Sequence, residues 1–180
     1  MINDFPERKT LRHKHFDYNE GIIFITACTL ERKCLLSQVV GTDVLGDPYI
    51  KLTEKGKIVD KYICQLNDFY NDVSVTEYVI MPNHVHLLLF VRETDRRGRR
   101  SLQNDDLSPI EQRNVKDTQH SKISKFISTL KRFSNQEIGE NIWQRGSYDH
   151  IIRSNKDLDN HIDYIRQNPQ NWYYDELYAE

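Results

Sequence analysis

Hydrophobic and polar positions divide the chain into segments of period two and segments of helical period. Gly21–Cys28 is apolar on both faces, the pattern of a strand central in a sheet. Residues 35–50 follow no regular pattern, because Gly41, Gly46 and Pro48 interrupt it. From Thr53 to about Tyr70, Ile58, Val59, Tyr62, Ile63, Leu66 and Phe69 recur at helical spacing behind Thr53 as a cap. Val75–Met81 and Val85–Val91 are β-branched, aromatic and aliphatic runs joined by Pro82-Asn83, which reads as strand, turn, strand. The pattern dissolves over residues 92–119. It resumes as an amphipathic helix from Ser121 to Phe133, with Ile123, Phe126, Ile127, Leu130 and Phe133 on its inner face. Trp143–Arg153 reads as a turn feeding a last strand. Ser154–Gln167 reads as a last helix, opened by a Ser154/Asp157 capping box, striped by Leu158, Ile162 and Ile165, and limited by Pro169. Strand, helix, strand, strand, helix, strand is the βαββαβ order of a ferredoxin-like sandwich. The expectation is one α+β domain over residues 1–180, an antiparallel sheet backed by helices, with a further C-terminal helix.

Composition narrows the function classes. A length of 180 residues fits one domain, and a net charge of −2 gives no whole-chain signal for nucleic acid. Charge is nonetheless unevenly spread: residues 92–132 carry eleven Lys/Arg against six Asp/Glu, and residues 154–180 two against six. That asymmetry suits one basic face on a mildly acidic protein. Residues 1–20 form a polar arm in which Arg8, Lys9 and Arg12 are either solvated charges or phosphate contacts. The arginine-rich stretch 92–119 reads as a mobile insertion loop. Cys28, Cys34 and Cys64 have no metal-type spacing and read as free thiols of a reducing cytosol. With no apolar leader and no run of membrane-spanning length, the expectation is a cytoplasmic protein without a membrane partner.

The chemistry begins at the second strand of the hairpin. His84 and His86 are separated by one residue, so on a strand they share a face and can hold one metal ion with a third ligand from elsewhere. The pair alone does not distinguish a metal hydrolase, a nuclease, a structural site or two hydrogen-bonded strand-end histidines. On the last helix, His161, Tyr164 and Asn168 stand at i, i+3 and i+7 on one face beside the apolar stripe.

Four segments, Met81–Leu89 (MPNHVHLLL), Ile123–Phe133 (ISKFISTLKRF), Trp143–Arg153 (WQRGSYDHIIR) and His161–Trp172 (HIDYIRQNPQNW), occur in an order and spacing that resembles the single-tyrosine HUH transposases of insertion sequences. The likeness is greatest to their REP-associated branch and covers about residues 5–174. It implies that His84 and His86 are metal ligands and that Tyr164 is the nucleophile. It also implies that Asn168, where the insertion-sequence branch usually has glutamine, is a further ligand. Mg²⁺ or Mn²⁺ is the implied ion. Tyr164 would form a 5′-phosphotyrosine link on single-stranded DNA at or beside a hairpin, leaving a free 3′-OH. Lys125, Arg132, Arg145 and Arg153, with Arg8, Lys9 and Arg12, are candidate DNA contacts. His150, His161 and Arg153 are candidates for easing ionisation of the tyrosine. The resemblance is compatible with a monomer or a homodimer. The alternative is a non-catalytic DNA-binding or regulatory protein derived from a transposase.

Overall fold

The computed structural model describes residues 21–41, 48–92 and 122–179. The arm with Arg8, Lys9 and Arg12 lies outside the described residues, as does the expected insertion beyond Arg92. Strand β1 is Gly21–Cys28, β2 is Ser37–Val40 and β3 is Tyr49–Leu52. Helix α1 is Glu54–Phe69, followed by β4 (Val73–Ile80) and β5 (His84–Val91). Helix α2 is Lys122–Ile138, β6 is Tyr148–Ile151 and α3 is Asn155–Gln167. The main sheet runs β4-β5-β1-β6, every neighbouring pair antiparallel. This is the expected α+β sandwich order, with β1 inside the sheet as its two apolar faces require.

One addition is the small β2–β3 hairpin, in the stretch where the sequence pattern was irregular. It serves to dock α1. Thr53 Oγ1 accepts from Gly56 N at 3.1 Å, satisfying an otherwise orphan donor of the first turn. Leu36 O in turn accepts from both Thr53 N (2.9 Å) and Thr53 Oγ1 (3.0 Å), and Leu36 N donates to Pro82 O (2.9 Å). The helix start is therefore wired to the turn that precedes His84. Glycine is required at position 56, because a Cβ there would lie 1.9 Å from Leu36 O and 2.9 Å from Leu36 C, both backbone atoms. Gly56→Ala is expected to destabilise the protein by about 3 kcal/mol or more, through displacement of a rigid backbone contact. The urea midpoint measures this; an unchanged midpoint would show that helix and hairpin separate freely.

The sheet faces two different cores. Ile23, Ile25, Val85, Leu87 and Leu89 pack with Val59, Ile63, Phe126 and Leu130 beneath α1 and α2, in a cluster of twenty buried residues. The alternate residues face α3, where the buried apolar cluster is Phe24, Leu88 and Ile165, with Ile162 and Leu158 beside them. Because side chains alternate, Thr26, His84 and His86 share the second face, the side of α3. Among the described residues, no helix is long and apolar enough to cross a membrane.

Candidate active site

The hairpin between β4 and β5 turns on Pro82-Asn83, closed by Met81 N donating to His84 O at 2.9 Å. Both histidines emerge directly from it. In register, His84 lies opposite Cys28 and His86 opposite Thr26. Their rings are 4.4 Å apart between centroids and are 0% and 2% exposed.

Hydrogen bonds fix how each ring is presented. Asn83 Nδ2 donates to Leu177 O (2.7 Å), so Asn83 Oδ1 is left to accept from His84 Nδ1 (2.8 Å). His86 Nδ1 meets Thr26 Oγ1 at 2.9 Å. Because Asn83 Oδ1 can only accept, neutral His84 carries its proton on Nδ1 and its lone pair on Nε2, and the Thr26 hydroxyl can accept from His86 Nδ1 in the same tautomer. Burial favours that neutral state: it pushes His84 down to about 4, against a smaller opposing effect of Asp175, and holds His86 well below 6.5.

Asn168 closes α3 and is 2% exposed. Its Nδ2 donates to Asp175 Oδ2 at 3.0 Å, which turns its Oδ1 the other way. Among the described residues, three buried side-chain polar atoms have no partner: His84 Nε2, His86 Nε2 and Asn168 Oδ1. Stranding such atoms costs about 1–3 kcal/mol each. Two imidazole nitrogens and one amide oxygen are donor types that a divalent cation accepts. The implied metal fits these residues.

Tyr164 stands one helical turn before Asn168, its ring 5.2 Å from that of His86 and 6.1 Å from Phe24. Tyrosine and histidines of a single chain thus come together. The tyrosine is 43% exposed and its hydroxyl donates to Asp175 Oδ2 at 3.0 Å. Burial of the rest of the ring, with the Asp175 charge next, pushes its pKa up to about 12. A cavity of about 770 Å³ opens over these groups, lined among others by His86, His161, Tyr164, Asn168 and Asp175.

The sequence reading did not single out Asp175, which it counted only as one acid in an acidic tail. Its carboxylate accepts from Tyr164, Asn168 and, at 2.7 Å through Oδ1, Leu177 N. It also lies with His84 and His86 in a group whose ligand atoms are all within 4.8 Å of one another. An amide offers one acceptor oxygen where the tail and the site use two. Asp175→Asn is therefore expected to release the Asn168 amide and weaken divalent-ion binding about 10–100-fold. Titration calorimetry with Mn²⁺ reads this, and an unchanged affinity would show that Asn168 is held by other means.

Of the four candidate DNA contacts among the described residues, none lines the cavity. Lys125 and Arg132 are exposed on α2, the layer across the sheet from Tyr164, and Arg132 lies over the Phe133 ring at 4.8 Å. Arg145 and Arg153 are exposed near β6, outside the cavity wall. Basic residues at helical spacing mark a solvent face, but not which side of the sandwich carries it. Of the groups considered for easing ionisation, His161 does line the cavity, whereas His150 pairs with Asp157 at 3.1 Å.

The depressed histidines set a pH dependence. Below pH 6.5 the unfolded chain takes up protons at these imidazoles that the folded chain refuses, so stability falls as pH falls from 6.5 toward about 4. The slope is about 1.4 kcal/mol per pH unit for each imidazole, and above 6.5 it vanishes. Urea midpoints in EDTA across that window check this. His84→Gln is expected to flatten the dependence by one proton; equal slopes would contradict it.

No protein-family model matches the chain. A protein of Haemophilus influenzae (strain ATCC 51907 / DSM 11121 / KW20 / Rd), itself described only as uncharacterized, is 30% identical over 183 residues, covering 96% of this chain and 94% of that one. The REP-associated tyrosine transposase of Escherichia coli (strain K12) is 28% identical over 95 residues, 53% of this chain and 43% of that protein. A Haemophilus protein given the same name provisionally is 33% identical over 90 residues, 50% of this chain and 46% of its own. Over about half its length, the chain is thus similar to REP-associated tyrosine transposases. It matches somewhat under half the length of those two named relatives. A solved structure of a REP-associated tyrosine transposase bound to a REP hairpin shares the fold, with a TM-score of 0.58 at 20% identity over 88% of this chain and 72% of that one.

Proposed function

We propose that this transposase relative is a metal-dependent single-stranded DNA endonuclease and strand transferase acting at or beside hairpin sequences. Tyr164 is its nucleophile. The observation that carries the reading is the group of three unpartnered buried donors, His84 Nε2, His86 Nε2 and Asn168 Oδ1, beside a tyrosine at the edge of an open cavity.

A divalent ion, Mg²⁺ or Mn²⁺, held by His84, His86 and Asn168 would supply Lewis-acid polarisation of a non-bridging oxygen of the scissile phosphate. The chain's own residues do the rest. Tyr164 Oη attacks phosphorus, forming the O–P bond as the bond to the 3′-oxygen breaks. The products are a 5′-phosphotyrosine and a free 3′-OH, and attack by a 3′-OH reverses the step. A phenol raised to about 12 is almost wholly protonated at neutral pH, so its proton must leave as attack proceeds. Asp175 Oδ2, already accepting that hydrogen at 3.0 Å, is placed to receive it. Tyr148 and Tyr174, 54% and 90% exposed, also line the cavity, where unpaired bases can stack on them. The relative bound to a REP hairpin supports hairpin DNA as the substrate class.

The test is incubation with 5′- and 3′-labelled oligonucleotides carrying hairpins of several sequences with single-stranded flanks, in Mn²⁺, Mg²⁺ or EDTA. The expected result is a denaturation-resistant protein band bearing only the label 3′ of the cut, and no such band in EDTA. Binding without cleavage in either metal would instead support the non-catalytic DNA-binding reading.

A further inference from the structure

We propose that Arg32 is the phosphate-gripping cation of this site, closing its guanidinium on the phosphate presented to Tyr164. The inference rests on the DNA-cleaving reading above and adds a substrate-binding residue to it.

The argument begins with charge. The proposed substrate is a polyanion, and the cavity wall carries Asp175 and Glu176. Among the described residues, Arg32 is the only lysine or arginine that lines this cavity. The basic residues of α2 and of the β6 region do not reach it.

Backbone conformation is the second observation. Immediately beyond β1, Glu31 and Arg32 have φ of 57° and 54°, two consecutive non-glycine residues in the left-handed region. L-residues adopt that region at a cost, and such strain persists where the surroundings demand one placement of a side chain. Here the two residues part company. Glu31 pairs with Lys33 at 2.8 Å, while Arg32 lines the cavity. The nearest acid in sequence is thereby taken up by another partner.

The third observation is what the guanidinium touches. Arg32 is exposed, and its one described hydrogen bond is a long one, 3.5 Å from Nη1 to the main-chain oxygen of Glu176. No ion pair to it occurs among the described residues. A planar fork of five donors matches two phosphate oxygens at once, which an ammonium group does not.

The experiment uses Tyr164→Phe protein, which binds without covalent reaction, and hairpin DNA with one neutral methylphosphonate placed at each linkage of the single-stranded flank in turn. Arg32→Asn removes the charge and introduces a side chain that tolerates the left-handed backbone. On unmodified DNA, Arg32→Asn is expected to weaken binding about tenfold, and Arg32→Lys to recover part of it. At one linkage the methylphosphonate should itself weaken binding by protein that retains Arg32, and abolish the difference between that protein and the Arg32→Asn variant. That linkage should be the one wild-type protein joins to Tyr164. Equal losses at every linkage, as expected if Arg32 merely tethers the tail, or no loss on unmodified DNA, would overturn the proposal. Absence of any covalent adduct with wild type would defeat the cleavage reading instead, and the linkage scan would still report whether Arg32 grips a phosphate.

Discussion

Tyr164→Phe is expected to form no covalent adduct with hairpin-flanked single-stranded DNA, under conditions in which the wild type does. The substitution removes one hydroxyl and leaves the ring against His86 and Phe24. That hydroxyl donates to Asp175, whose carboxylate keeps its bonds from Asn168 and from Leu177 N. The loss in stability should stay within about 1.5 kcal/mol, the net worth of one such hydrogen bond. A folded, DNA-binding protein without the adduct would place the defect in the chemistry. Thermal melts, DNA affinity and a denaturing gel make the comparison together. Cleavage that persists in Tyr164→Phe would mean that water is the nucleophile, and the placement of Tyr164 beside His86 would need another explanation.

The second large effect is expected at the histidines. Wild-type protein should gain stability from Mn²⁺ according to the ion's affinity, by about 2.7 kcal/mol at one hundred times its dissociation constant. His84→Ala and His86→Ala should gain nothing over the same range and should fall about 10³-fold or more in cleavage rate, corresponding to several kcal/mol of lost charge stabilisation. Both side chains are buried, so each alanine leaves a cavity and lowers stability in EDTA as well. The difference between melts with and without Mn²⁺ is therefore the decisive quantity, because packing losses cancel in it. An undiminished Mn²⁺ shift in either variant would remove that histidine from the donor set.

Much of this was legible in the sequence because the signals are local. Alternation placed His84 and His86 on one face, and helical spacing set Tyr164 and Asn168 beside the Ile165 stripe. Arg32 and Asp175 were not legible. Arg32 owes its position to a backbone turn that no propensity foretells, with left-handed φ at two ordinary residues. Asp175 reaches the histidines because the tail beyond Pro169 folds back: Trp172 is buried with its ring 6.0 Å from His84, and Asn83 holds Leu177 O. The second of these contacts joins residues 94 positions apart and leaves no periodic trace. The β2–β3 hairpin was hidden for a different reason: its strands are four residues each, too short for alternation to register.

The unequal furnishing of the two sheet faces bears on motion. Helices α1 and α2 share a cluster of twenty buried residues with the sheet, whereas α3 is held by a cluster of three and follows a strand of only four residues. Lifting α3 away exposes far less apolar surface than parting the other layer, so it is the least costly sub-global opening of the fold. Tyr164 and Asn168 ride on the element more readily detached, and His84 and His86 sit on a strand embedded in the sheet. If Tyr164 takes a DNA end as proposed, that end can shift with the helix and Asn168 while the sheet and its two histidines stay folded.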